Sequence, residues 1–239
     1  MGKLKVPSLQ HLARHWRSDP VDIQRVLVGL TKGGPTFSYE PLHAAVRDML
    51  VLNVPCSQIE EGIKRGVKNE DVRQNFLGLI PLIQEYFDGV SATFVTSVAS
   101  RFYPVGRDLM VPFHPPLIYG SGGDVYFPWL SFWRSNPLAG ERLSLFVTMV
   151  QDILLQDSDL DEAKFNILDF SAPDSKSDRK LTVLDSSSIP RLSQQRKVEM
   201  LTIFSEGYRL ARDATVGQKV SQDIQRESDG DSSQINLFD

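Results

Sequence analysis

The chain has one cysteine, Cys56, in 239 residues. An internal disulfide is therefore impossible, which fits a reducing compartment. No apolar run reaches the length of a membrane span, and the opening MGKLKVPSLQ lacks the apolar core of a signal peptide. The expected compartment is the cytoplasm, with no membrane partner. Basic charge is not in excess either: 26 Lys and Arg stand against 30 Asp and Glu, a net charge of −4 and a pI of about 5.6. That excludes a protein that coats nucleic acid by bulk charge, though not one with a local basic patch. The four histidines are scattered. His11 and His15 share a helix face, but no Glu lies between them and no third ligand is in view, so no metal or cofactor is expected.

An apolar content of 41% with 23% charged residues is that of an ordinary globular chain. Residues 1–90 carry helical periodicity. Ser8 precedes LQHLARHW, with Leu9, Leu12 and Trp16 on one side, and Asp19-Pro20 opens a second helix with Ile23, Leu27 and Leu30 inward. Gly33-Gly34-Pro35 breaks the pattern, and further helices follow from Pro41, Ser57 and Asn69.

Beyond residue 90 the texture becomes that of strands. Leu117-Ile-Tyr119 and Val125-Tyr-Phe127 flank a glycine-rich loop and predict a hairpin. That loop is not followed by Lys-Ser/Thr or by a helix, so it is no phosphate cradle. Asn136-Pro137 predicts a helix start, and the helix runs to about Leu155 with wide apolar coverage. Phe165–Phe170 and Lys180–Asp185 predict central strands, and Leu192–Ala211 a last amphipathic helix. One core is expected to contain Leu145, Phe146, Val150, Ile167, Leu168 and Val183. The fold class is α+β: a helical N-terminal region, 1–90, packed with a small mixed sheet and two long C-terminal helices in 91–213. Residues 214–239, rich in Ser, Gln and Asp, are expected to form a disordered tail.

The end of that tail carries large apolar residues, which suggests a partner for them. The run Gln234-Ile235-Asn236-Leu237-Phe238 resembles the peptide by which bacterial replication and repair proteins dock on the sliding clamp: Gln, an aliphatic residue, any residue, Leu, Phe. Y-family translesion polymerases carry similar tails. A chance match is on the order of one in ten thousand per starting position. The resemblance covers five of 239 residues and says nothing of the fold. It implies that Gln234 makes polar contacts at a pocket rim while Ile235, Leu237 and Phe238 fill the pocket. The competing reading has the tail fold back on its own body.

Two other readings concern the body. Residues 42–68 have the spacing of a helix-turn-helix, with Lys64, Arg65 and Lys68 as candidate DNA contacts. Glu60 and Glu61 oppose phosphate contact there, and a plain helical layer competes. The strand–helix–strand order is also compatible with a restriction-endonuclease-like core. That core needs an acid on one strand and Asp or Glu, one residue, then Lys on the next, together holding a metal ion. The candidates are Asp124 or Asp169 with Glu162-Ala-Lys164 or Asp178-Arg-Lys180, but Glu162 and Asp178 precede their strands. Asp169 and Asp185 end neighbouring strands, and convergence at a sheet edge would make them a site, but turn and loop chemistry is the favoured reading of both. No catalytic residue is assigned.

Overall fold

The computed structural model describes residues 4–33, 37–136, 138–174 and 176–231, with side chains as far as residue 216. Among them, helices α1 (Leu9–His15), α2 (Pro20–Leu30), α3 (Glu40–Leu52), α4 (Cys56–Gly66), α5 (Glu70–Leu77) and α6 (Ile80–Phe87) precede the first strand. Their ends follow local chemistry. Asp19 accepts from the Val21 N–H at 2.8 Å with Pro20 in the first turn of α2, and Asn69 accepts from Val72 N–H at 3.1 Å to open α5. Helix α3 stops at Asn53, whose φ of 50° is left-handed, and Pro55 follows.

Strands β1 (Phe94–Thr96), β4 (Ile118–Ser121), β5 (Asp124–Ser131), β6 (Lys164–Asp169) and β7 (Thr182–Asp185) form one sheet in the order β1-β4-β5-β6-β7. Strands β2 (Arg101–Val105) and β3 (Leu109–Phe113) pair separately. The predicted hairpin is β4–β5. Gly122 and Gly123 form its turn with φ of 61° and 88°, values that a side chain would strain. Helix α7 (Glu141–Leu154) carries the chain from β5 to β6, which pair in parallel with Phe127 opposite Phe165 and Trp129 opposite Ile167. Strand β7 returns antiparallel, a three-residue 3₁₀ turn (Ser186–Ser188) follows, and α8 (Gln194–Asp231) closes the chain. The class is α+β, as the sequence implies.

Both faces of the sheet are covered. Ile118, Phe127, Trp129, Phe165 and Ile167 join α1, α2, α7, α8 and the β2–β3 pair in one core. Tyr119, Leu130, Leu168 and Phe170 join α3–α6 in the other. Burial on both faces explains why β5 and β6 read as nearly continuous apolar runs. It also corrects the expectation of one core. Leu145, Phe146, Val150 and Ile167 do share it, but Leu168 faces the opposite layer because successive strand residues alternate. Val183 is 47% exposed because β7 is an edge strand and not a central one. Across the change of composition near residue 90 the chain packs continuously, since α1 and α2 share a core with α7, α8 and the sheet.

Two helix ends differ from expectation. Helix α7 begins at Glu141; the Asn136 side chain accepts from Leu138 N–H at 2.9 Å and so closes a turn instead of capping the helix. Helix α8 continues past residue 213 to Asp231, 38 residues and about 57 Å at about 1.5 Å per residue. Its last buried side chain among the described residues is Ala211, and Val216 is 59% exposed. No helix among the described residues is long and apolar enough to cross a membrane.

Candidate functional site

The parallel register of β5 and β6 sets Tyr126 beside Lys164, which brings Asp124 within reach of the lysine. The Lys164 Nζ donates to Asp124 Oδ2 at 2.5 Å and lies 5.5 Å from the Tyr126 ring centre. The carboxylate holds the Lys164 amine above its ordinary pKa. At the same strand end is a cleft of about 430 Å³, bounded by the C-terminal turns of α7, the loop entering β6 and the corner after β7. Gln151, Glu162, Lys164, Asn166, Asp185 and Arg191 are among its lining groups.

Gln151 is the unusual one. Only 9% exposed, it donates from Nε2 to Ser186 Oγ at 3.3 Å, and its Oε1 has no hydrogen-bond partner. An unpaired buried polar atom costs about 1–3 kcal/mol. At the rim, Asp185 accepts from Ser187 N–H at 2.8 Å, a bond that holds its carboxyl below the usual range. Asp161 and Glu162 add two exposed carboxylates. The site is thus a polar cavity with an acidic rim; Gln151 is among its lining residues, but its Oε1 is shut off from solvent. Gln151, Ser186 and Arg191 escaped the sequence reading. The one signal was an amide within the apolar stretch LFVTMVQDIL of α7.

The endonuclease candidates divide between the two ends of the sheet. Glu162 and Lys164 line the cleft, and Asp124 is bound to Lys164 beside it. Asp169 is five steps along β6 from Lys164, about 17 Å at about 3.3 Å per residue. It is 5% exposed and accepts from the backbone and hydroxyl of Ser171 at 3.1 and 3.0 Å. Burial pushes its pKa up, against the pull of those bonds. Asp178 and Lys180 lie in the connection between β6 and β7, with Lys180 N–H donating to Ser171 O at 3.1 Å. Among the described residues, no group of three or more His, Cys, Asp or Glu is placed to hold a metal ion. Asp169 and Asp185 do not converge, because β6 and β7 are antiparallel: Asp169 pairs with Thr182, and Asp185 with Asn166.

At the Asp169 end, where ligands often bind in parallel sheets, the protein's own groups fill the space. Arg179 Nη1 donates to the carbonyls of Phe132, Trp133 and Phe170 at 3.0, 3.1 and 3.0 Å, and its Nη2 donates to Asn75 Oδ1 at 2.7 Å. His11 and His15 stack with ring centres 6.0 Å apart, and His11 lies 5.4 Å from Trp133. Burial is the main cause that lowers both histidine pKa values to about 4, so both are neutral near pH 7.

In the segment 42–68, α3, the turn at Asn53 and α4 form as expected. Ile59 and Ile63 are buried, which leaves Lys64 and Arg65 on the outer face. Both cations contact Glu61, at 3.2 and 3.7 Å, while Lys68 is exposed beyond the helix. The tail residues Gln234, Ile235, Leu237 and Phe238 lie outside the described residues.

Compared with known proteins, the sequence matches no protein-family model and no curated protein.

Proposed function

We propose that this chain is a DNA replication or repair accessory protein recruited to the bacterial sliding clamp by its C-terminal peptide. The observation that carries the reading is the run Gln234-Ile235-Asn236-Leu237-Phe238, in which four constrained positions match the docking pattern. The body supports it indirectly. Helix α8 has left the core by Val216, 59% exposed, so the peptide follows a segment beyond the last described core contact. In this reading Ile235, Leu237 and Phe238 are the buried anchors and Gln234 makes rim contacts.

The test is a titration of purified clamp with the full-length chain and with a peptide of residues 231–239. A short peptide with few anchors should bind with a dissociation constant on the order of micromolar. Leu237→Ala and Phe238→Ala should each remove most of the affinity. Gln234→Ala should remove less, and Asn236→Ala least. Absence of binding at about 100 micromolar, or equal binding by a Leu237/Phe238 double alanine chain, would overturn the assignment.

A further inference from the structure

We infer that the surface formed by the end of α1, the loop after β5 and the start of α7 binds a single strand of DNA, with Arg14, Arg17 and Arg142 on its phosphates. The choice of DNA among polyanions rests on the clamp reading; the surface itself rests on the body. The first observation is unbalanced charge. Arg17 Nη1 and Arg142 Nη1 both donate to the Arg14 carbonyl, at 3.3 and 3.5 Å, which gathers three arginines on one small surface. Among the described residues none of the three forms an ion pair, whereas neighbouring Arg196 is held by Glu141 and Glu199 at 2.7 and 2.9 Å. Like charges repel, and a group of them without a counter-charge attracts an anion. The second is the field they make. Burial is the main cause that lowers the His15 pKa, and the charges of His11, Arg14 and Arg17 lower it further. The third is aromatic. The Arg14 guanidinium lies 4.8 Å from the centre of the half-buried Trp133 ring, which also meets His11.

Cationic and aromatic groups interleaved on one surface suit a single strand. Guanidinium groups take the phosphates, and the flat faces of guanidinium and ring take the bases. The position agrees. Trp133 lies two residues beyond β5 and Arg142 in the first turn of α7, at the C-terminal end of the parallel pair β5–β6. The carboxylates there do not oppose a phosphate, since Asp169 is buried and Glu141 is engaged by Arg196. Arg179 and its partners fill the crevice between the strand ends, so the ligand lies across the surface. A duplex fits less well. Helix α1 has seven residues, with Leu9, Leu12 and Ala13 buried, and is too short and too embedded to enter a groove.

The test is the fluorescence anisotropy of a labelled oligothymidine of about 12 nucleotides, titrated with the full-length chain and no clamp. The expected result at about 50 mM salt is saturable binding with a dissociation constant on the order of micromolar. Three phosphate contacts on a single strand give a slope of log affinity against log salt of about −2. The Arg17→Gln/Arg142→Gln double variant should bind about tenfold or more weakly, with the slope reduced to about −0.7. The Arg17→Lys/Arg142→Lys variant keeps the charge, so it should keep the slope and lose less affinity. Melting temperatures of the same samples separate lost binding from lost fold. A Lys64/Arg65/Lys68 triple glutamine variant should bind as the wild type does. The Leu237/Phe238 double alanine chain should lose the clamp and keep the oligonucleotide, so the two readings fail separately: clamp binding without DNA binding overturns this inference alone, and DNA binding without clamp binding overturns the recruitment alone. No saturation by about 100 micromolar, undiminished binding by a folded Arg17/Arg142 glutamine variant, loss of binding in the 64/65/68 variant instead, or tighter binding of a duplex of equal length would overturn the inference.

Discussion

Replacing Gly207 by alanine should destabilise the protein, although the substitution raises helix propensity. Helix α8 meets α2 at this glycine. A Cβ there would lie 2.6 Å from Ile23 Cβ, 2.7 Å from Ile23 Cγ2 and 2.8 Å from the Pro20 carbonyl oxygen. Carbon atoms settle at about 3.5–4.0 Å, so the helices must separate by about 1 Å. Neither neighbour yields easily. Ile23 is fully buried and β-branched, and the Pro20 oxygen belongs to the backbone of the first turn of α2. Overpacking costs about 1–3 kcal/mol, and alanine recovers about 1 kcal/mol over glycine in a helix interior. The clash is with a backbone oxygen and with the stiff Cβ end of a buried side chain, which favours the upper part of that range and a net loss of about 1–2 kcal/mol. Gly62, in the middle of α4, has nothing within 4 Å of the same ideal Cβ. Gly62→Ala should therefore stabilise by about 0.5–1 kcal/mol. Urea unfolding of both variants, with unchanged slopes, measures the contrast. If Gly207→Ala stabilised as much as Gly62→Ala, the close approach of α2 and α8 would be wrong.

Phe146→Ala should cost about 3–5 kcal/mol in the same assay, because the ring is fully buried and lies 4.7 Å from Trp129 and 6.1 Å from Phe165, centre to centre; a surface-like effect would place α7 outside the core. Arg179→Met should cost about 2–4 kcal/mol, since it strips three carbonyls of one donor group, and Arg179→Lys should rescue little because an ammonium lacks the planar fork; full rescue by lysine would reduce the residue to a point charge. His11 and His15 titrate near 4 in the folded protein against an ordinary 6.5, so on acidification the unfolded chain takes up protons first. Their contribution to stability is whole above pH 6.5 and declines as pH falls towards 4. Melting temperature against pH should show a steeper acid limb for the wild type than for His11→Phe, and parallel limbs would contradict buried neutral rings.

Where a feature depends on neighbouring residues, it was legible. Asp19-Pro20 gave away α2, and Gly122-Gly123 gave away the β4–β5 turn, because each is solved by local backbone chemistry. Asn136 misled for the same reason: its side chain serves a turn as readily as a cap, and only tertiary context chooses. Two layers in place of one core were hidden because a buried strand shows no alternation of polarity. The candidate site was visible only in pieces. Asp124, Glu162, Lys164 and Asp185 each stand out as charged residues near strand ends. That Glu162, Lys164 and Asp185 face one cleft with Asp124 held to Lys164 beside it, while Asp169 does not, follows from the parallel β5–β6 register and the antiparallel return of β7. Those pairings join distant stretches of chain, and no local pattern encodes them.

The cleft and the last helix share a support, which bears on how a tethered body would behave. Asp152, next to Gln151 in α7, accepts from Lys197 Nζ at 2.5 Å and from the Tyr103 hydroxyl at 2.6 Å. Lys197 lies in the first turn of α8 and is only 9% exposed, so the pair sits where water is largely excluded. Glu141 at the start of α7 accepts from Arg196 at 2.9 and 2.7 Å, and the Trp16 indole donates to Met200 O at 3.0 Å. Gly207 then seats the helix on α2. The N-terminal turns of α8 are therefore fixed to both ends of α7, and the helix leaves the core only beyond Ala211. A pull applied through the tail meets the contact of Gly207 with α2 before it reaches those turns. Asp152 sits next to Gln151, so the stretch of α7 that lines the cleft also holds the first turn of α8.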